Sequence, residues 1–250
     1  MAYIGPPVTL ESLVLTPEHS LLHQSYRPKH QRNGTVNADG FGCGWFDTGV
    51  RSEPALYRRS APLWSDRSFQ SMAGLISSKA FVASVRDATT GSFAEESSTS
   101  PFSRDGWLFA HNGLFHNFDG PPGAWLRRAI SDQRLAAIRG TSDSEYLFAL
   151  ILDRVDGGMA VSDAMSAVIA ECLEKTTGTF NFLMHDGWKF TATACGDSLF
   201  VLEGTDRLPG GVVVASEPYD DDPAWQEVPD GSLVEGYCGG AIVVPIRGGS

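Results

Sequence analysis

The sequence has no long apolar run and is poor in positive charge, and each absence excludes a class of protein. It contains no stretch of about 18 apolar residues, the length that a membrane span requires. Residues 1–10 lack a basic region followed by an apolar one, so we expect no signal peptide. The 19 Lys and Arg residues against 30 Asp and Glu residues give a formal charge of −11. This charge disfavours nucleic acid and anionic membrane surfaces as partners.

Cysteine is also scarce. The four cysteines are widely separated, without a C-x-x-C pair and without histidine at metal-ligand spacing. This pattern favours neither a zinc site nor a disulfide framework, and it fits a reducing cytoplasm. We expect no metal and no organic cofactor. The cysteines are Cys43, Cys172, Cys195 and Cys238.

The remaining composition is typical of a folded globular protein. Hydrophobic residues make up 42% and charged residues 20% of the 250 residues, which is close to the average for such proteins. We predict one domain over residues 1–246 and a disordered end at residues 247–250. The sequence leaves the oligomeric state open, a homo-oligomer included.

Strand patterns occupy both ends of the chain, and helical patterns lie between them. Tight Asp-Gly, Gly-Asp and Gly-Gly turns between the later strands favour antiparallel pairing. This order predicts the α+β class, as a four-layer αββα sandwich of two antiparallel sheets between helix layers. The predicted strands cover residues 41–46, 80–85, 107–110, 180–185, 189–194, 199–202, 212–215 and 241–246, and the predicted helices cover residues 66–78, 125–138, 143–152 and 160–175.

Glycine alternates with larger residues in Gly40-Phe41-Gly42-Cys43-Gly44. A phosphate-binding loop would follow a strand and open a helix, whereas this run leads into an aromatic strand without basic residues. We interpret the glycines as one bare face of a strand, which lets another backbone or a ligand approach closely.

Arg86 ends an apolar strand in Val85-Arg86-Asp87. Burying a guanidinium costs free energy unless an anion meets it, so we expect a carboxylate partner. Taken alone, the residue favours a salt bridge within the protein over a contact with a ligand.

His111-Asn112-Gly113 follows another predicted strand and offers an amide side chain beside a glycine N–H. Such a donor pair can stabilise an oxyanion, although an Asn-Gly turn is the more common use of these residues. We interpret His111 as a hydrogen-bonded core residue rather than as a base.

Ser142-Asp143-Ser144-Glu145 precedes an apolar helix and has the pattern of a capping box, with Ser142 as the N-cap. The cap explains Ser142 and Glu145 but does not require Asp143. The Asp143 carboxylate could equally face an ammonium group of a ligand.

Four motifs occur in one order along the chain: Asn37-Ala38-Asp39-Gly40, Val85-Arg86-Asp87-Ala88-Thr89, His111-Asn112-Gly113 and Ser142-Asp143-Ser144-Glu145. Their joint order resembles the class-II glutamine amidotransferase domain of the N-terminal-nucleophile hydrolases. Residues 215–225 further resemble the branch of that family that hydrolyses a γ-glutamyl compound in ergothioneine biosynthesis. The resemblance covers nearly the whole chain.

The resemblance implies a role for each candidate site residue. Arg86 would hold the α-carboxylate of a γ-glutamyl group through a bidentate contact, and Thr89 would add a hydrogen bond nearby. Asp143 would hold the α-ammonium. The Asn112 side chain and the Gly113 N–H would bind the oxyanion of the tetrahedral intermediate.

The nucleophile of the family is a cysteine that becomes the first residue, with its own α-amino group as the base. Family chains begin Met-Cys-Arg-His followed by an apolar residue, and Met1 takes that apolar position here. Our hypothesis is that the start lies about four residues upstream. Cys43 has no evident base beside it, and we interpret it as a packing residue.

Three functions follow from the resemblance. The first is hydrolysis of a γ-glutamyl amide to release glutamate, with γ-glutamyl-hercynylcysteine S-oxide as the implied substrate and water as the acceptor. The second is a glutaminase subunit that supplies ammonia to a partner synthase. The third is a catalytically inactive γ-glutamyl-binding protein, which is what the residues from Met1 onward describe.

Overall fold

The computed structural model describes residues 1–30, 35–87 and 95–246, in which two antiparallel sheets lie face to face between two helix layers. The predicted α+β sandwich is therefore confirmed. Within those residues the helices are α1 (Leu10–Val14), α2 (Leu21–Tyr26), α3 (Arg67–Ala73), α4 (Pro121–Ala129), α5 (Asp132–Leu135), α6 (Asp143–Asp156) and α7 (Val161–Lys175). The strands are β1 (Ala2–Thr9), β2 (Gly40–Trp45), β3 (Ala55–Arg59), β4 (Ser77–Arg86), β5 (Phe102–Arg104), β6 (Trp107–Phe115), β7 (Gly178–His185), β8 (Lys189–Ala194), β9 (Phe200–Glu203), β10 (Val212–Ala215), β11 (Gln226–Glu227), β12 (Ser232–Tyr237) and β13 (Gly240–Pro245).

The first sheet has the strand order β11-β9-β10-β1-β4-β2-β3, and the second has the order β13-β12-β8-β7-β6-β5. In the first sheet β1 lies between β10 and β4, with Ala2 opposite Val214 on one side and Val82 on the other. β4 continues to Arg86, past the start of β1. Residues 84–86 therefore border a notch in the sheet directly ahead of Met1.

Alternation along the strands divides the core into three layers, because successive side chains of a strand point to opposite faces. The inner layer fills the space between the sheets, one outer layer lies under α1 to α3, and the other lies under α4 to α7. Buried residues of these layers include Ala2, Val82, Leu108 and Phe190 between the sheets, Tyr3, Phe69 and Phe81 under the first helices, and Phe109, Leu147 and Phe182 under the second. None of the helices in the described residues is long and apolar enough to cross a membrane.

The alternating glycines of β2 form the bare face that the sequence predicts. A Cβ on Gly42 would collide with the carbonyl oxygen of Ser100, and a Cβ on Gly44 would lie 2.5 Å from a methyl group of Leu108. Another backbone and the opposite sheet therefore occupy the space that side chains would take. No phosphate loop is formed, since β2 is a strand that leads into β3.

Three predicted boundaries are wrong for identifiable reasons. The predicted helix 66–78 ends at Ala73, because Ser77 and Ser78 already belong to β4. His111-Asn112-Gly113 does not follow a strand but lies within β6, because pairing with β7 continues as far as Phe115. The predicted helix 125–138 is two helices, α4 and α5. Ile130 has an extended backbone, with φ −90° and ψ 138°, and Ser131 then caps α5 by accepting a hydrogen bond from the Arg134 N–H. The predicted disordered end, residues 247–250, lies outside the described residues.

Candidate active site

Arg86 is the last residue of β4 and borders the notch ahead of Met1. The predicted buried arginine is only half-buried, because β1 covers β4 no further than Ala83. Burial lowers the pKa of the Arg86 guanidinium, while the charges of Asp39 and then Asp143 act to raise it. Since the charge of Asp143 acts on Arg86, the end of β4 and the start of α6 lie near each other.

Asp143 is the first residue of α6, and its carboxylate connects that helix to β6. Oδ1 accepts a hydrogen bond from the Ser144 N–H at 2.7 Å, and Oδ2 accepts one from the Phe115 N–H at 3.1 Å. Ser142 is the N-cap, as predicted, with its Oγ 3.3 Å from the Ser144 nitrogen. The predicted capping box is not formed, because the Glu145 side chain reaches past the N-cap to earlier backbone groups.

Gly113 presents its N–H along the same edge of β6 as Phe115. The Phe180 N–H donates to the carbonyl of Cys195 at 2.8 Å, so Phe180 and its partner Gly113 form a pair that is not hydrogen-bonded. The Gly113 N–H thus points away from β7, as does the Phe115 N–H that binds Asp143. Two strand residues span about 7 Å, so the Gly113 N–H lies about that far along β6 from the Phe115 N–H that binds the Asp143 carboxylate.

Asn112 is exposed beside Gly113, and its side chain is held by the turn between β8 and β9. Its Nδ2 donates to Oδ2 of Asp197 at 3.4 Å. Asn181, which is 5% exposed, donates to the carbonyl of Asp197 at 2.9 Å and accepts from the Cys195 N–H at 2.8 Å. Neither Asn181 nor Asp197 was expected from the sequence, in which Gly196-Asp197 indicates only a turn.

His111 is hydrogen-bonded, as predicted, but it is half-buried rather than a core residue, and it joins β6 to α6. Its Nδ1 lies 3.0 Å from the Ser144 hydroxyl, and its Nε2 lies 2.9 Å from the carbonyl oxygen of Thr179. Since a carbonyl only accepts, Nε2 carries a proton. A Cβ on Gly113 would collide with the Thr179 carbonyl and lie 2.5 Å from Nε2 of His111, so a glycine is required at that position.

Cys43 is a packing residue, as predicted. It is 1% exposed, and burial raises the pKa of its thiol to about 12, which removes the thiolate at neutral pH. The four cysteines are all free thiols. Among the described residues no group of three or more His, Cys, Asp or Glu side chains is placed to hold a metal ion. Thr89, the remaining predicted site residue, lies outside the described residues.

Comparisons with known proteins find relatives over nearly the whole chain. The family described as class-II glutamine amidotransferases matches residues 18–206. A γ-glutamyl-hercynylcysteine sulfoxide hydrolase of Mycolicibacterium smegmatis is 41% identical over 98% of both chains. A protein of the same name from Mycobacterium tuberculosis (strain CDC 1551 / Oshkosh) is 39% identical over 94% of this chain and 91% of its own.

Solved structures are similar as well. A glutamine aminotransferase class-II domain protein from Silicibacter pomeroyi superimposes with a TM-score of 0.70 at 25% identity, over 98% of this chain and 97% of its own. The glutamine phosphoribosylpyrophosphate amidotransferase of Bacillus subtilis superimposes with a TM-score of 0.63 at 18% identity, over 98% of this chain and 48% of its own, which shows the fold alone.

The two sheets between helix layers are the arrangement that the chain shares with these solved structures. Within that fold, the family match and the identity to its members are decisive. The chain belongs to the class-II glutamine amidotransferase family.

Proposed function

We propose that this protein hydrolyses the γ-glutamyl amide bond of γ-glutamyl-hercynylcysteine sulfoxide and releases glutamate, as the names of its relatives at 39–41% identity describe for them. The observation that carries the proposal is the placement of three groups around one notch. Arg86 and Asp143 interact electrostatically, and Asp143 binds the N–H of Phe115, two residues beyond Gly113. These groups match the two charged ends and the side-chain carbonyl of a glutamyl moiety.

In this proposal Arg86 and Asp143 hold the amino-acid end of the substrate. The planar guanidinium of Arg86 binds the α-carboxylate through two parallel hydrogen bonds. Asp143 accepts from the α-ammonium and is held for this by the Ser144 and Phe115 N–H groups. Thr89, outside the described residues, stays a predicted neighbour of the carboxylate.

Asn112 and Gly113 then bind the carbonyl oxygen as it becomes negative. Gly113 offers an N–H on the open edge of β6, since β5 pairs only with the start of that strand, up to Phe109. The Asn112 amide is oriented by Asp197, which accepts one of its two N–H groups. The other N–H is the donor to the oxyanion.

The notch determines where a nucleophile would have to lie. Ala2 pairs with Val82 and Met1 bonds to Ala83, so a segment Cys-Arg-His placed ahead of Met1 and continued in this register puts the cysteine opposite Arg86. Alternation puts its side chain on the face between the sheets, the face of Ala2. That face is directed toward β6.

The family resemblance supplies the reaction steps. The thiol sulfur of the N-terminal cysteine attacks the side-chain amide carbon of the substrate. The thiol proton passes to the cysteine's own α-amine, and the carbonyl electrons move to the oxygen. Collapse of the tetrahedral intermediate re-forms the carbonyl and breaks the C–N bond, and the α-ammonium of the cysteine gives its proton to the leaving amine. Water then attacks the thioester, which yields glutamate and restores the thiol.

Three forms of the protein test the proposal: the chain from Met1, and two engineered forms with Met-Cys-Arg-His or Met-Ala-Arg-His ahead of it. We expect the cysteine form to release glutamate from γ-glutamyl-hercynylcysteine sulfoxide and the other two to bind it without turnover. Equal release by the alanine form would refute the proposed nucleophile. A preference for free glutamine that depends on a partner protein would favour the ammonia-supplying function instead.

We further propose a cytoplasmic location, in keeping with the free thiols.

A further inference from the structure

Glu145 is a buried carboxylate, 6% exposed, two residues after Asp143 in α6. Its Oε1 accepts the Arg139 N–H at 2.9 Å, and its Oε2 accepts the Gly140 N–H at 2.6 Å. Two consecutive backbone donors are thus bound by the two oxygens of one side chain. Only a carboxylate can do this, because a carboxamide of the same shape would turn an NH2 group toward one of the donors.

The loop that Glu145 binds is also held from its other side. The Thr141 N–H lies 3.3 Å from the hydroxyl of Ser98, which is 3% exposed in a short 3-10 turn over Glu96–Ser98. A Cβ on Gly140 would lie 2.8 Å from the Ser97 carbonyl oxygen and 3.0 Å from Oε2 of Glu145. Residues 139–141 are therefore clamped between Glu145 and the 3-10 turn.

Ser100, two residues after the 3-10 turn, contacts β4, the strand that ends in Arg86. The Ser84 hydroxyl lies 2.8 Å from the Ser100 carbonyl oxygen and 2.7 Å from the Ser100 hydroxyl. Ser84 is two residues before Arg86 and points to the same face of β4. Glu145 thus completes a chain of contacts that joins the start of α6, and Asp143 with it, to the end of β4.

We propose that Glu145 is a positioning residue of the glutamyl subsite, which sets the distance between the Asp143 carboxylate and the Arg86 guanidinium. The inference rests on the proposed function, since it presumes that these two groups bind the α-ammonium and the α-carboxylate of one ligand. Glu145 itself does not reach the ligand, because both of its oxygens face the backbone of residues 139–140. Its effect is transmitted through the position of Asp143.

Calorimetry with two ligands separates positioning from a general structural role. L-glutamine carries the α-ammonium, and glutaramate is the same molecule without the amino group. We expect Glu145→Gln to weaken L-glutamine binding roughly tenfold and to change glutaramate binding less than about twofold. Asp143→Asn should show the same pattern, and the double variant should bind L-glutamine no more weakly than Asp143→Asn alone, because both changes remove one interaction.

The control is Glu171→Gln, which breaks the 2.8 Å ion pair with Arg154 toward the far end of α6 and should leave both affinities unchanged. Equal weakening of both ligands by Glu145→Gln, or no weakening of either, would overturn the proposal. Should Glu145→Gln fail to fold, Ser98→Ala removes only the Thr141 bond and must show the same selective loss at smaller size. A separate variant, Arg86→Ala, tests the proposed function itself. If L-glutamine and glutaramate bind this variant as tightly as the parent, Arg86 does not hold the α-carboxylate and the proposed function fails.

Discussion

At the scale of single residues, the geometry of Arg86 matters as much as its charge. The residue lies at the end of β4, beyond the part that pairs with β1, and it is influenced by the charges of Asp39, just before β2, and Asp143 on α6. Burial lowers the pKa of the guanidinium, and these carboxylates offset only part of that effect. A bound α-carboxylate would complete a set of contacts that requires a planar, forked donor.

Arg86→Lys keeps the charge and removes the fork, so we expect L-glutamine to bind about tenfold more weakly or worse. Arg128→Lys, on the exposed side of α4, is the matched control and should bind normally. Isothermal calorimetry on the chain from Met1 measures both. Unchanged binding by Arg86→Lys would show that the guanidinium acts only as a point charge or not at all.

Asn112→Ala removes one donor from the proposed oxyanion site. In the engineered cysteine form we expect kcat to fall by about 100-fold to 1000-fold, with little change in KM, because the interaction strengthens only in the transition state. Steady-state hydrolysis of γ-glutamyl-hercynylcysteine sulfoxide measures this. Gln226→Ala, an exposed amide on β11, should have normal kinetics. A rise in KM with normal kcat would place Asn112 in ground-state binding instead.

The sequence predicts Arg86, Asn112, Gly113 and Asp143 because each belongs to a motif that is local in the chain. It does not predict Asp197 or the use of Glu145. Asp197 meets Asn112 only through the register of β6, β7 and β8, and Glu145 acts on a loop that a second, distant segment also holds. Contacts of this kind depend on tertiary pairing, which a single sequence does not encode locally.

At the scale of secondary-structure elements, His185 connects β7 to β1 across the two sheets. It is 0% exposed, and its Nε2 donates to the Tyr3 carbonyl at 3.1 Å while its Nδ1 accepts the Gly187 N–H at 3.0 Å. Both ring nitrogens are therefore satisfied in the neutral form. Burial lowers the pKa of His185 to about 4, well below the ordinary histidine value.

This depressed pKa makes stability depend on pH. Unfolded His185 takes up a proton near its ordinary pKa of about 6.5, whereas the folded residue does so only near 4. The contribution of neutral His185 to the free energy of unfolding is therefore complete above pH 6.5 and is lost as the pH falls toward 4. We expect about 3 kcal/mol of unfolding free energy to be lost as the pH falls from 7 to 4. Urea unfolding of the parent and of His185→Gln isolates this term, since other groups titrate in both. Parallel pH profiles for the two proteins would contradict it.

The elements that the sequence predicts well are those with long, uninterrupted patterns. The predicted helix 160–175 matches α7, which begins one residue later, and the predicted strand 189–194 matches β8. The pattern misses α1 and α2, which have five and six residues, and such short helices are stable only through tertiary packing. The predicted helix 66–78 is too long, since Ser77 and Ser78 pair with β1 and form the start of β4.

At the scale of the whole molecule, the bare face of β2 determines how closely other parts of the chain approach the first sheet. Ser100 and Pro101 contact it at Gly42, and Leu108 of the second sheet contacts it at Gly44. The same segment that contacts Gly42 also binds Ser84 and leads from the 3-10 turn at Glu96–Ser98. The packing of β2 and the geometry of the candidate site are therefore linked.

Gly42→Ala tests this link, because the added methyl group would collide with the backbone of Ser100 rather than with a flexible side chain. We expect a loss of about 1–3 kcal/mol of unfolding free energy, as overpacking a close-packed interior costs, measured by urea denaturation. Gly49→Ala is the control, since its methyl group would come no closer than 3.4 Å to an oxygen of Asp47. L-glutamine binding should weaken in Gly42→Ala but not in Gly49→Ala, because displacing Ser100 also displaces the end of β4 that carries Arg86. Full stability with full binding would mean that the segment shifts without reaching the site.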